Sequence, residues 1–317
     1  MKQLNYLLSL LIISHFGVTL SAAKKKAPSR IPPAQWIKTI DAIIPAKATV
    51  KAPKKQVLVF SLATGYKHYV IPYVDEVLKS MASKTGAFEV TITHDISYFK
   101  REKLDNFDAV ILNNTCSDRK ERHLFRDVLI HKADKFGSQF KELNTDQRTQ
   151  LAKQLEQNLL DYVAEGKGLM VLHGAINMLN KLEPVSQMIG GSFAYHPPFQ
   201  SITLELVEPD HALCKAFEHE SISYKDEPYI LNGAYQDLNF RPLLSMDTSK
   251  LVKVKPEVHE LPRYMAWIKK HGQGRVFFSS PGHSHTTYEN PKFLQFYLDG
   301  LQYVLGDLKC PDTVPKK

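Results

Sequence analysis

The order of apolar and polar positions in the first half of the chain is typical of a parallel α/β sheet. Short apolar runs of strand length alternate with longer segments in which apolar residues recur at helical spacing. Strands that are apolar on both faces indicate a mostly parallel sheet covered by helices on both sides. The strands are predicted at 57–62, 88–93, 107–112 and 169–172, and the helices at 69–83 and 146–165.

The second half of the chain alternates less regularly, and its pattern favours antiparallel pairing. Residues 201–207 alternate like an exposed or antiparallel strand. The apolar runs 265–269 and 275–279 flank a Gly-containing turn at 271–274 and predict a hairpin. A closing helix is predicted at 293–305.

The first 23 residues have the three parts of a secretory signal peptide. Lys2 precedes an apolar run, and Ser21, Ala22 and Ala23 form a cleavage site of small residues. A membrane anchor is the alternative, but the run is broken by polar residues and is shorter than the ~20 residues of a spanning helix. We therefore expect a secreted or periplasmic protein with no integral membrane span after cleavage.

The rest of the chain divides into a linker, one large domain and a short tail. Residues 24–55 are basic and rich in proline, with one helical pattern at 36–44. That helix is expected to pack onto the domain, and a disordered tether is the alternative. The domain is predicted over 56–309, with an insertion at about 117–145, and the tail over 310–317.

The net charge of +8 on 317 residues comes from the linker. Residues 24–55 hold nine lysines and arginines against Asp41 alone, and residues 56–317 are nearly balanced. Because the excess charge is confined to the linker and no nucleic-acid-binding motif is present, nucleic acid is not expected as a partner. No pattern indicates an oligomeric state. The three cysteines, at 116, 214 and 310, are too few and odd in number for a disulfide framework.

Histidines follow three of the predicted strands, at the point where each strand ends. His68 follows the first strand, His173 the fourth, and His283 the second strand of the hairpin. Asn114 follows the third strand. Ligands of open parallel sheets bind at the carboxyl ends of the strands, where these loops meet. The sequence therefore predicts a shared polar site at this edge of the sheet.

Two later segments add candidate residues to the same site. His196 follows a Gly-Gly turn and is held in extended geometry by Pro197. Asp226, Glu227 and Tyr229 supply two carboxylates and a phenol. Histidine with a carboxylate suits general acid–base catalysis near neutral pH and equally suits a divalent metal such as zinc. The spacing does not choose between these two chemistries.

Motifs of several common enzyme classes are absent from the sequence. There is no Gly-x-Ser-x-Gly, and His173-Gly174-Ala175 stands at the turn where amidotransferases place a nucleophilic cysteine. Acyl transfer by a Ser or Cys nucleophile is therefore not expected. There is also no Gly-x-Gly-x-x-Gly and no phosphate-binding loop, so no nucleotide cofactor is expected.

A family resemblance is carried by the segments 65–68, 107–115, 166–175, 190–199, 226–229 and 265–283. In this order, over about 56–305, they resemble the ThuA-like family, named for trehalose utilisation, and in particular its secreted bacterial members. The resemblance implies an α/β, flavodoxin-like three-layer sandwich with a mostly parallel central sheet. This fold is of the class I glutamine-amidotransferase type, here without the nucleophile. The resemblance also implies a role in disaccharide catabolism through 3-keto-glycosides, with a divalent metal in some members.

The resemblance assigns the polar pocket to His68, His173, His196, Glu227 and His283. The expected catalytic residues are His68, His173, Glu227 and His283. The expected substrate contacts are Tyr66, Asn114, His196, Asp226 and Tyr229. The candidate metal ligands are His173, His196 and His283.

The function expected from these residues is that of an exported carbohydrate-processing protein. It would act on a disaccharide or 3-keto-glycoside by acid–base or metal-assisted enolisation, as an isomerase, lyase or hydrolase. Glu227 or His173 would abstract a proton next to the ketone, while His283 with His68, or a metal they hold, would stabilise the enolate. The alternative is a non-catalytic carbohydrate-binding or scaffold domain, which the aromatic residues near the site favour.

Overall fold

The computed structural model describes residues 29–260 and 262–315. The predicted signal peptide at 1–23 lies outside the described residues. No helix in the two described ranges is long and apolar enough to cross a membrane.

The central sheet has nine strands, and its two halves differ in strand direction. The described residues form these nine strands and two more that pair outside the central sheet: β1 (Lys55–Phe60), β2 (Phe88–Thr93), β3 (Ala109–Asn113), β4 (Gly168–Leu172), β5 (Ser192–Tyr195), β6 (Gln200–Leu206), β7 (Ile222–Asp226), β8 (Ile230–Asn232), β9 (Arg241–Met246), β10 (Tyr264–His271) and β11 (Gly274–Ser279). The order is β2-β1-β3-β4-β11-β10-β9-β6-β7. Neighbours from β2 to β11 are parallel, and those from β11 to β7 are antiparallel. β5 and β8 pair separately.

Helices cover both faces of this sheet, which confirms the predicted three-layer α/β sandwich. Along β1, Val57 and Val59 pack into one core, and Leu58 and Phe60 pack into the other. This alternation explains why the predicted strand is apolar throughout.

The helices are α1 (Ala34–Ile43), α2 (Ile71–Thr85), α3 (Arg101–Leu104), α4 (Leu124–Arg126), α5 (Ala133–Phe136), α6 (Thr145–Ala164), α7 (Glu183–Ile189) and α8 (Pro291–Val304).

The helix expected in the linker is α1, and it is packed onto the domain. Trp36 and Ile40 are buried in the core that also contains α2 and α8 residues. The Trp36 ring lies edge-on to Tyr73, with 4.7 Å between ring centroids, and its Nε1 donates to Glu289 at 2.8 Å. α1 is therefore an integral part of this helical layer.

Residues 117–145 connect β3 to α6 and are largely helical. They contain α4, a π-helical turn at Asp127–His131, and α5. The connection is anchored by apolar side chains that enter the second core, including Leu124, Phe125 and Leu129. It is therefore a packed element whose first residues lie at the carboxyl edge of the sheet.

Candidate active site

The structure brings His68, His173, Glu227 and His283 together at the carboxyl ends of the strands. One ligand atom from each of the four lies within 4.8 Å of the others. His173 directly follows β4 and Glu227 directly follows β7, while His68 and His283 lie in the loops after β1 and β11. The three histidines expected to meet at this edge therefore do meet there.

His173 is the most buried member of this cluster, and its backbone takes a left-handed conformation with φ of 45°. Its Nδ1 lies 2.6 Å from the Ser280 carbonyl oxygen, which only accepts hydrogen bonds. Nδ1 therefore carries the proton, and in the neutral ring Nε2 is an acceptor. This Nε2 faces Glu227 Oε2 at 3.4 Å, so two acceptors point at each other.

Two further imidazole nitrogens lie close to the Glu227 carboxylate. Oε2 lies 3.1 Å from His283 Nδ1, and Oε1 lies 3.7 Å from His196 Nε2. Within the described part of the chain, neither His173 Nε2 nor His283 Nδ1 makes a hydrogen bond of acceptable geometry. Such buried, unpartnered polar atoms are costly unless a further group compensates them.

The pKa values of the cluster are shifted in opposite directions. Burial raises the pKa of Glu227, but contact with His173 and His283 outweighs burial and leaves it well below its usual range. Burial lowers the pKa of His283, and Glu227 outweighs this and raises it. The pKa of His68 falls well below its usual value through burial and the neighbouring His173. Glu227 is thus ionised, and His283 holds a proton more readily than His68.

Asp226 and Asn114 lie beneath the site and hold its loops. The fully buried Asp226 carboxylate accepts hydrogen bonds from the backbone N–H groups of Gly282, at 2.9 Å, and His283, at 3.2 Å. The Asn114 side chain accepts a hydrogen bond from the Gly174 N–H at 3.4 Å. Neither side chain lines the cleft, so this geometry does not provide the substrate contacts predicted for them.

A cleft of about 430 Å³ opens above the cluster, and aromatic rings form much of its wall. His68, His196, Glu227, Tyr66 and Tyr229 line it. Tyr66, in the cleft wall, and Phe199, near His283, are 55% and 48% exposed, and their ring centroids lie 6.2 and 5.9 Å from that of His283. Exposed rings around a polar floor suit a ligand with both apolar faces and hydroxyl groups.

Several residues around the site were not anticipated from the sequence. Arg119, Arg122 and Asn177 line the cleft, and Gly174 packs against His68. The only sequence signal for the two arginines is their position shortly after the third strand, at the same edge of the sheet. His285 has a histidine's chemistry but lies outside the cluster, with its Nδ1 2.9 Å from the Tyr69 hydroxyl.

Cys116 also lines the cleft, and it is not positioned as a nucleophile. Burial raises the pKa of its thiol to about 12, so the thiol stays protonated at neutral pH. The Sγ donates to the Gly174 carbonyl at 3.2 Å. Cys116 therefore packs the floor of the site.

The donor set of the cluster fits a divalent metal such as zinc. Three imidazoles and one carboxylate match the ligand types and number of a tetrahedral zinc site. The hydrogen bond from His173 Nδ1 to a backbone carbonyl is the arrangement that orients metal-binding histidines. A cation between His173 Nε2, His283 Nδ1 and Glu227 would also satisfy the unpartnered nitrogens. His196, a further candidate ligand, stands 3.7 Å from Glu227 at the open side of the cluster.

Comparison with solved structures identifies the fold. A putative ThuA-like protein from Bacteroides uniformis is 17% identical, covers 80% of this chain and 92% of its own, and has a TM-score of 0.58. One from Parabacteroides merdae is 17% identical, covers 83% of this chain and 94% of its own, and has a TM-score of 0.52. No match is found among curated proteins. At these identities the structures establish the fold alone, which is the expected flavodoxin-like one.

The family model for ThuA, described as trehalose utilisation, matches residues 139–304. The matched range contains His173, His196, Glu227 and His283, and it begins after His68 and the two arginines. It covers more than half of the chain, and the Bacteroides uniformis structure is similar in fold over 80% of the chain. The protein therefore belongs to the ThuA family, whose description as trehalose utilisation gives it a carbohydrate-related role.

Proposed function

We propose that the cleft binds a disaccharide or 3-keto-glycoside and that the histidine–glutamate cluster catalyses enolisation next to the sugar ketone. The family provides the carbohydrate class. The observation that carries the chemistry is the convergence of His173 Nε2 and His283 Nδ1 on the Glu227 carboxylate. Because His173 Nε2 and the ionised Glu227 carboxylate are both acceptors only 3.4 Å apart, they require a positive charge beside them, and the same charge can stabilise an oxyanion of the substrate.

His196 is the residue best placed to exchange a proton with the substrate. It is partly exposed in the cleft, whereas His173 is fully buried and cannot reach a substrate carbon. A base must lie within hydrogen-bond reach of the proton that it removes. Glu227 also lines the cleft, but its lowered pKa makes it a weak base. The base role therefore passes from His173 or Glu227 to His196.

In the proposed step, the C–H bond next to the ketone breaks and its proton goes to His196 Nε2. The electron pair moves into the carbonyl, and the enolate oxygen gains the negative charge that the cluster stabilises. Isomerisation follows when the proton of the hydroxyl on the deprotonated carbon moves to the enolate oxygen and His196 returns its proton to the former carbonyl carbon. Elimination follows when the glycosidic C–O bond on the neighbouring carbon breaks and the leaving oxygen takes up the proton that His196 holds.

A divalent metal would be held by His68, His173, His283 and Glu227, and it would supply Lewis-acid stabilisation of charge on the substrate oxygen. The chain's own contribution is to orient these four side chains. Ser280 fixes the His173 ring, and Asp226 fixes the His283 backbone. The aromatic walls exclude water from one side of the sugar.

The test is turnover of 3-keto-trehalose followed by NMR, together with elemental analysis of the mature protein. We expect His196→Gln and Glu227→Gln to lower turnover at least 100-fold without unfolding the protein. His285→Gln is the matched control, because His285 lies nearby but outside the cluster, and it should retain parental turnover. If the parent binds 3-keto-trehalose without converting it, the non-catalytic binding function replaces this proposal.

We also propose that the protein is exported, on the basis of its first 23 residues. The basic start, the apolar run and the small residues at 21–23 support cleavage after Ala23. Amino-terminal sequencing of the protein from its native host should begin at Lys24. A native chain that retains residues 1–23 would contradict cleavage.

A further inference from the structure

Two arginines lie on the ridge between the active-site cleft and a neighbouring cleft. Arg119 and Arg122 line both the first cleft and a second one of about 680 Å³. Both come from the turn after β3, at the start of the connection 117–145. They bring two guanidinium groups to the rim of a site that otherwise contains histidines, one carboxylate and aromatic rings.

The acidic residues of this turn are neutralised away from the cleft. Asp118 pairs with Lys132 at 2.7 Å. Glu121 pairs with Arg126 and with His131, each at 2.8 Å. Within residues 29–260 and 262–315, no carboxylate oxygen lies within 4.0 Å of a guanidinium nitrogen of Arg119 or Arg122. The two guanidinium groups can therefore bind an anionic group in the cleft.

Arg122 is also held in a defined position. Its backbone lies in the left-handed region with φ of 58°, which a non-glycine residue adopts only when its surroundings hold it there. Its guanidinium donates to the Asn177 side-chain oxygen and lies 5.7 Å over the Phe193 ring. Asn177 ends the 3-10 turn that begins at His173, so Arg122 and His173 are fixed by the same short segment.

We propose that the saccharide recognised by this site carries an anionic group, which Arg119 and Arg122 bind while the sugar lies over the cluster. This inference rests on the proposed function and adds a substrate class to it. A guanidinium group binds carboxylate, sulfate and phosphate through paired, charge-assisted hydrogen bonds. The second cleft holds two carboxylates, Glu183 and Asp237, whereas the one carboxylate of the first cleft, Glu227, is surrounded by histidines, so the anionic group belongs on the side of the first cleft.

The connection 117–145 gains a specific role from this inference. Its buried residues anchor it, its own ion pairs neutralise Asp118 and Glu121, and its first turn presents the two arginines. Arg119 and Arg122, which supply the binding charge, therefore lie before the range 139–304 that the family model matches. Selectivity for a charged saccharide would accordingly depend on the first turn of the connection 117–145.

The test compares charged and neutral saccharides of matched size by titration calorimetry of the mature protein at low salt. The pairs are trehalose 6-phosphate with trehalose, and cellobiouronic acid with cellobiose, so that the two arms distinguish phosphate from carboxylate. We expect at least one charged member to bind about tenfold more tightly than its neutral partner. Arg119→Gln and Arg122→Gln should each remove most of that preference, so that the charged and neutral members of a pair bind each variant with similar affinity.

Lys309→Gln is the control for net charge, because Lys309 is exposed after α8 and lines neither cleft. It should leave the preference unchanged. If Arg122→Gln fails to fold, Arg119→Gln decides the outcome, because Arg119 is exposed. Equal affinity of the parent for charged and neutral sugars, or a preference that survives both substitutions, overturns this inference and leaves the proposed function standing. Binding of none of these four sugars overturns this inference, and only the further absence of binding and turnover of 3-keto-trehalose overturns the proposed function as well.

Discussion

Gly174 sets the position of the His68 ring at the floor of the site. A Cβ at this residue would lie 2.4 Å from His68 Cε1, 2.9 Å from His68 Nδ1 and 3.0 Å from Cys116 Sγ. The first two distances are shorter than any normal contact, so the imidazole would have to move. The absence of a side chain at residue 174 therefore allows His68 to reach Glu227 and His173.

Gly174→Ala should accordingly lower turnover at least tenfold while the protein stays folded, because it displaces His68 without removing a candidate ligand. The measurement is turnover of 3-keto-trehalose by the single variants Gly174→Ala and His68→Gln and by the double variant. If Gly174 acts through His68, the double variant is no worse than His68→Gln alone. Additive losses would show that Gly174 acts by another route.

At this scale the sequence predicts which histidines meet but not how they interact. His68, His173 and His283 each follow a strand, and parallel strands end at one edge, so their convergence follows from topology. Glu227 follows β7, an edge strand of the antiparallel half, and its approach depends on the Asp226 hydrogen bonds to Gly282 and His283. The position of the Arg122 guanidinium depends on the left-handed backbone of Arg122 itself and on its hydrogen bond to Asn177. Neither tertiary contact has a sequence pattern.

At the scale of elements, α1 is a strap on the layer that contains α2 and α8. The Trp36 side chain is buried against Tyr73, and its Nε1 is bonded to Glu289. We expect Trp36→Ala to lower the free energy of unfolding by about 3 kcal/mol, through the lost apolar burial and the cavity that remains. Urea unfolding of the parent and the variant measures this. Lys38→Ala, on the exposed side of α1, should stay within about 0.5 kcal/mol of the parent, and an equal loss in both variants would argue against a packed strap.

The connection 117–145 should make the protein sensitive to acid through His123. Burial and the nearby Arg126 lower the pKa of this histidine to about 4. The folded-state pKa lies below that of the unfolded chain, near 6.5, so protonation favours unfolding. The stabilisation is complete above pH 6.5 and is lost as the pH falls towards 4, by at most about 3 kcal/mol.

His123→Asn tests this, because asparagine can still accept the hydrogen bond that His123 Nδ1 accepts from the Arg126 N–H. Urea unfolding at pH 7.5 and pH 4.5 gives the loss of stability on acidification for each protein. The loss should be smaller in His123→Asn than in the parent. His94→Asn, at an exposed histidine, should resemble the parent. Equal losses in all three proteins would remove His123 as the cause.

The elements of the parallel half were predictable, and those of the antiparallel half were only partly so. β1, β3 and β4 are buried on both faces, so their apolar runs stand out in the sequence. β5 and β8 have four and three residues, which is too short to establish a period. The short helices of the connection 117–145 are held by the burial of single residues such as Phe125. Each is only three or four residues long, which is too short for a helical repeat of apolar residues to be recognised in the sequence.

On the scale of the whole molecule, the excess positive charge and the active-site residues lie in different parts of the chain. The excess of basic residues lies in 24–55, whereas the cluster and the two arginines lie in a nearly balanced domain. The sheet joins a parallel half, which supplies the three histidines, to an antiparallel half, which supplies Glu227. The site therefore lies where loops from both halves meet, and it requires both to be folded. The parallel half could be predicted from the sequence; the way in which the antiparallel half reaches the site could not.

The state of the cysteines tests whether the whole molecule is held together without disulfides. All three lie in the described part of the chain, and all are free; Cys116 and Cys214 are buried. Burial raises the pKa of both thiols to about 12, so neither should react while the protein is folded. Burial also raises the pKa of the partly buried Cys310 thiol, to about 11, so a thiol reagent at pH 8 should label Cys310 slowly and before the other two in the native protein, and should label all three thiols in guanidinium. The melting temperature should be the same with and without a reductant. Fewer than three thiols in the denatured protein would reveal a disulfide, and rapid native labelling of Cys116 would show that the floor of the active site is open to solvent.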